Sequence, residues 1–162
     1  MTPQQTDTTI LARLQPSAPR RVVGVAVLGG LGLFFLGVAT RSLTGTPVAM
    51  LTFLAMGALI LWLAVRLWAS TANGLVLTGT ELRDTTGQVL ARVDQIRSVE
   101  RGVFAFKPAG GFTLVTTGTA GARAWAPGLW WRAGNRIGVG GVTHRHEGRY
   151  MAEVLSEMIG QK

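Results

Sequence analysis

Between Arg21 and Arg41 the chain reads VVGVAVLGGLGLFFLGVAT, and between Arg41 and Arg66 it again carries no charged residue. A helix of about 20 apolar residues, rising about 1.5 Å per residue, crosses the roughly 30 Å hydrocarbon layer of a bilayer. A helix also satisfies its own backbone hydrogen bonds, which hydrocarbon demands of any spanning segment. The two stretches therefore predict two transmembrane helices, at about 22–40 and 46–65, within a hairpin unit at 20–69. Pro47 suits the first turn of the second helix, where a missing N–H costs nothing. Trp62 and Trp68 lie near its far end, where indole rings favour the water–lipid boundary. A cleaved signal peptide fits poorly, because the first apolar run is too long and a second follows at once.

The link around Arg41–Gly45 is short and forces the helices antiparallel. Arg13, Arg20 and Arg21 precede the hairpin, and Arg66 with a basic remainder follows it. The positive-inside bias then places both termini in the cytoplasm. Gly29, Gly30 and Gly37 of the first helix and Gly57 of the second predict close helix packing, with Ala26 and Gly30 as a small-xxx-small pair. The simpler partner is the other helix of the same hairpin, and another membrane protein is the alternative. Neither span holds Asp, Glu, Lys or His. An ion or proton path inside the hairpin is therefore not expected.

Charged residues are 15% of the 162, below the roughly 25% of soluble domains, while the net charge is +8. Arginines are dispersed rather than run together. With a membrane segment present, this excess reads as topology signal and anionic-lipid contact, with no nucleic-acid partner expected. The chain has no Cys. This excludes disulfides and thiol chemistry. Residues 1–19 read as a disordered or interfacial segment: Met1–Thr9 is polar, and Ile10–Leu14 suggests a short amphipathic turn before Pro16 and Pro19.

From about residue 72 to 160 short apolar runs alternate with turn signals, the mark of a small antiparallel β domain. The runs are GLVLT (74–78), ELRD (81–84), QVLAR (88–92), IRSVERGVFAF (96–106, with a bend at Gly102), GFTLVTT (111–117), 123–126, and a pair at 129–132 and 136–139 joined by Ala133-Gly134-Asn135. Tyr150, Met151, Val154, Leu155, Met158 and Ile159 then recur at three and four residues, predicting a C-terminal amphipathic helix at about 147–159. The expected fold class is a membrane α-helical hairpin followed by a small α+β domain.

The tract GLVLTGTELRDTTGQVLARVDQIRSVERG and the terminal helix resemble the pleckstrin-homology-like (PH-like) fold. The chain from 20 to 160 is similar to small bacterial membrane proteins that carry a PH-like domain after a two-helix hairpin, a family mostly of unknown function. The resemblance implies a bent antiparallel sheet or barrel of about seven strands, plugged by one C-terminal helix. It also implies a multi-pass protein of the bacterial inner membrane, with the β domain cytoplasmic. No basic motif matching a eukaryotic headgroup pocket is present.

Arg123, Trp125, Trp130, Trp131 and Arg132 combine cations with indoles, and Lys107 and Arg136 add charge if the fold gathers them. Such a set suits lipid headgroups or a protein hot spot. Trp130 and Trp131, adjacent on a strand, must face opposite ways, so one of them is expected in the core. Gly138-Val139-Gly140-Gly141 lacks the context of a phosphate loop and reads as a strand end. His144 and His146 offer too few ligands for a metal. Asp84, Asp94 and Glu100 read as surface partners of arginines. No catalytic set, metal site or cofactor is expected. The sequence thus predicts a non-enzymatic accessory or scaffold protein, docking on an inner-membrane complex or on anionic lipid. The alternative is a membrane-tethered sensor with a lipid or small-ligand pocket in the β domain.

Overall fold

The computed structural model describes residues 9–41, 46–101 and 110–160. In chain order these form β1 (Ile10–Leu14), α1 (Ala18–Arg41), α2 (Pro47–Ser70), β2 (Leu75–Thr78), β3 (Glu81–Asp84), β4 (Val89–Arg92), β5 (Ile96–Glu100), β6 (Phe112–Thr116), β7 (Ala124–Ala126), β8 (Trp130–Ala133), β9 (Arg136–Val139) and α3 (Arg145–Gly160). The expected bend at Gly102 lies outside the described residues.

Helices α1 and α2 each have 24 residues and are long and apolar enough to cross a membrane. Each spans about 36 Å. They pack on each other through glycine. A Cβ at Gly32 would lie 2.7 Å from Leu61 Cγ, and one at Gly57 would lie 2.8 Å from Leu36 Cγ and 3.0 Å from the Gly32 carbonyl oxygen. Gly29, Gly30 and Gly37 have open space where a Cβ would stand, so they do not form the packing seam. Gly30 and Gly37 are exposed on the outer side of the pair, while Gly29, three residues before Gly32, is half-buried at the border of the seam. Val23, Val27, Leu33, Phe34, Val48, Leu51 and Val65 are exposed on the outside of the pair.

The segment expected to be disordered or a surface turn is in part a strand. β1 pairs antiparallel with β2, with Leu14 opposite Leu75. Its alternation buries Ala12 and Leu14 and exposes Leu11 and Arg13, the period-2 pattern of a half-buried strand. Five residues before two prolines are too few to separate a strand from one helical turn by pattern alone. The hairpin is therefore the connection between two neighbouring strands of one sheet.

The strands form two sheets, ordered β1-β2-β3-β4 and β5-β6-β9-β8-β7. They do not close into one barrel. A short 3-10 turn at Val93–Gln95 carries the chain from the first sheet to the second. Between them lie Leu14, Leu77, Leu82, Leu90, Phe112, Leu114, Trp130, Ile137 and Val139, all buried. Helix α3 packs along β1 and β5 and covers the opening between those edges. Met151 and Leu155 of α3 are fully buried, while Tyr150, expected on the same face, is 53% exposed. At 100° per residue Tyr150 falls at the edge of that stripe, beside solvent.

Asp84 departs from the expected surface ion pair. It is buried, and its Oδ1 accepts from the Thr86 N–H at 2.8 Å, the Gln88 N–H at 3.0 Å and the Thr86 hydroxyl. The carboxylate organises the β3–β4 turn, which passes through Gly87 at φ +93°. Asp94 and Glu100 do pair with arginines, Arg92 at 3.2 Å and Arg136 at 3.0 Å.

Candidate functional site

The base of the hairpin is clasped to one end of the β domain. The Ser17 N–H donates to the Val142 carbonyl at 2.7 Å. Arg20 Nη1 donates to the Thr143 carbonyl at 2.9 Å. On the other helix the Ser70 hydroxyl donates to the Pro127 carbonyl at 2.6 Å. Gly128, at φ +74°, permits the closest approach: a Cβ there would lie 2.5 Å from Leu67 Cδ1. Gly141 does the same within the domain, since its Cβ would lie 2.7 Å from the Gly128 carbonyl oxygen. The 138–141 tract is thus a tight strand end packed at this junction.

Arg21 joins the two helices at the same level. Its Nη2 donates to the Trp68 carbonyl at 2.9 Å, and its guanidinium lies 3.8 Å from the centre of the Trp68 ring. The first contact satisfies one of the carbonyls a helix leaves orphaned at its C-terminus. The second is a cation–π pair. One helical turn further into the hairpin, Arg66 lies 5.6 Å from the ring of Trp62.

Beside α2, Arg66, Arg123, Trp125, Trp131 and Arg132 line an open groove of about 630 Å³. Arg66 comes from α2, Arg123 from the residue before β7, Trp125 from β7 and Trp131 from β8. Trp125 is 50% exposed, as are Trp62 at 50% and Trp68 at 49%. Guanidinium groups bind phosphate through a planar fork, and an indole places an apolar body beside a polar N–H. Together they make a surface that suits a boundary between apolar and anionic layers.

The residues singled out from sequence divide sharply. Arg123 and Trp125 are exposed beside Arg66. Trp130 is in the core, 4% exposed, and Trp131 lies on the opposite face over Gly138, where a Cβ would stand 2.1 Å from its Nε1. Arg132 is tied inside the domain: its Nε donates to the Ala122 carbonyl at 2.9 Å and its Nη1 to the Val89 carbonyl at 3.3 Å. Arg136 is paired with Glu100. Lys107 lies outside the described residues. Arg20, Arg21, Arg66, Trp62 and Trp68 were legible only as topology and boundary signals, yet they stand at the same junction as the groove. His144 and His146 are exposed at the start of α3, and among the described residues no three His, Cys, Asp or Glu side chains cluster to hold a metal. Comparison of the chain with protein-family models, curated proteins and solved structures returns no match.

Proposed function

We propose that the chain is a two-span protein of a bacterial inner membrane, with both termini in the cytoplasm and a PH-like β domain docked on the anionic leaflet. In this reading it is a non-enzymatic accessory protein. Its hairpin fixes the domain at the membrane, and Arg66, Arg123 and Trp125 bind lipid headgroups there. One observation carries the reading: the hairpin interrupts a single β-sheet between Leu14 and Leu75, so the clasped end of the domain must face whatever layer holds the helices. The exposed apolar side chains of α1 and α2 support a lipid environment for them, since water tolerates only small contiguous apolar patches. Each arginine near an anionic surface adds about 1 kcal/mol of attraction.

The absence of native cysteine makes the test direct. A Trp125→Cys variant of the full chain is labelled with an environment-sensitive fluorophore and reconstituted in nanodiscs. Quenching by lipid brominated near the headgroup, stronger in phosphatidylglycerol than in phosphatidylcholine discs, is the expected result. It falls when Arg66 and Arg123 are replaced by Gln. Equal quenching by aqueous iodide in both lipids, with none from brominated lipid, removes the docking.

A further inference from the structure

On the α3 side of the hairpin base lies a second cleft, of about 210 Å³, which shares no lining residue with the groove at Arg66. Arg101, Arg145 and Arg149 line it, with Gly110 and Gly148 between them, and among the described residues none of its lining is acidic. The glycines shape it. Gly110, at φ +71°, lies under Arg145, and a Cβ there would stand 2.7 Å from Arg145 Cγ. A Cβ at Gly148 would stand 3.1 Å from the Gly110 carbonyl oxygen, so the bare backbone lets α3 sit close to this loop end.

Arg101 is held in place, donating to the Ser156 hydroxyl at 2.8 Å and pairing with Glu153 at 3.7 Å. Arg145 and Arg149 have no hydrogen-bond or ion-pair partner among the described residues. Three guanidinium groups around one cleft, with Glu153 on Arg101, give it a positive potential. A guanidinium fork matches phosphate oxygens two at a time. The cleft is smaller than the roughly 300–1,000 Å³ of sites for drug-sized ligands. It therefore suits a phosphate with a small substituent rather than a nucleotide. Its position is equally specific: Arg145 directly follows His144, whose N–H donates to the Gln15 carbonyl at 3.3 Å, and Thr143, which accepts from Arg20. The Arg145 end of the cleft is thus level with the first turn of α1.

We infer that Arg101, Arg145 and Arg149 form a binding site for a phosphate group with a small substituent, carried by a phosphatidyl lipid or by a free phosphate ester. Only the lipid source rests on the membrane placement proposed above. The test uses the full chain in mild detergent at fixed ionic strength. One arm titrates inorganic phosphate calorimetrically. The other counts retained phosphatidylglycerol against phosphatidylcholine by native mass spectrometry. The double variant Arg145→Gln, Arg149→Gln loses about tenfold in affinity or adduct, the scale of a lost charge-assisted contact. Loss in the phosphatidylglycerol arm alone identifies a lipid headgroup, and loss in the phosphate arm identifies a free ester. Should the double variant melt early, the single Arg149→Glu, on the exposed side of α3, gives the same readout. Wild-type protein that binds neither probe, or variants within twofold of wild type in both arms, overturn the site. The Trp125 label of the docking experiment is indifferent to these variants, so the two readings fail separately.

Discussion

Arg132 on β8 reaches across the gap between the two sheets and donates from Nη1 to the carbonyl oxygen of Val89 on β4, 3.3 Å away. A side chain here does what a backbone ladder would do in a closed barrel. Its Nε meanwhile serves the Ala122 carbonyl at 2.9 Å. Arg132→Ala is therefore expected to lower stability by about 1–2 kcal/mol, the range for hydrogen bonds from a partly exposed charged donor. Denaturant titration of the detergent-solubilised protein, followed by tryptophan fluorescence, measures this.

The glycines of α1 are expected to divide by face. Gly32→Val drives a side chain into Leu61 and costs about 1–3 kcal/mol, the usual range for overpacking. Gly30→Val meets open space and leaves the stability of the solubilised protein within the scatter of a surface change, about 0.5 kcal/mol. Equal effects at both positions would mean that the helices pack on another face.

Leu14→Ala tests whether the segment before α1 belongs to the domain. Leu14 is fully buried against the core, and large-to-small changes there cost about 2–5 kcal/mol. Limited proteolysis is expected to open β2 and α3 to cleavage in the variant, although both lie far away in sequence. A β domain as resistant as wild type would show that β1 is dispensable.

Docking through Arg66 and Arg123 is expected to weaken with salt. Raising the ionic strength from about 0.05 M to about 0.5 M shortens the Debye length several-fold. The Trp125 label should then move toward water in phosphatidylglycerol discs and stay unchanged in phosphatidylcholine. A response independent of lipid charge would show that Arg66 and Arg123 do not hold this face at the headgroups.

Most of the architecture was written in local patterns. β3 begins at Glu81 and ends at Asp84 as the ELRD run implied, and α3 starts only two residues before its expected position. The two apolar helices were legible as charge-free runs, but they extend past those runs through Arg20, Arg21 and Arg66. What periodicity could not supply was pairing over distance. Nothing near Ile10 signals that its partner strand starts at Leu75. The candidate site suffered for the same reason. Trp130, Arg132 and Arg136 share composition with Arg123 and Trp125, yet the core, the Val89 carbonyl and Glu100 claim them. Only the register of β7, β8 and β9 separates the claimed from the free.

The insertion of α1 and α2 between β1 and β2 also sets an order of events during synthesis. The strand Ile10–Leu14 leaves the ribosome first, and its partner emerges only after both helices have been made. The antiparallel pair then returns the chain to its starting point, so the packing of α1 on α2 performs a loop closure that a free coil would meet as an entropic barrier. A polypeptide whose two helices have not paired keeps a bare edge on β2 and an uncovered Leu14. Assembly of the β domain thereby depends on the pairing of the two helices.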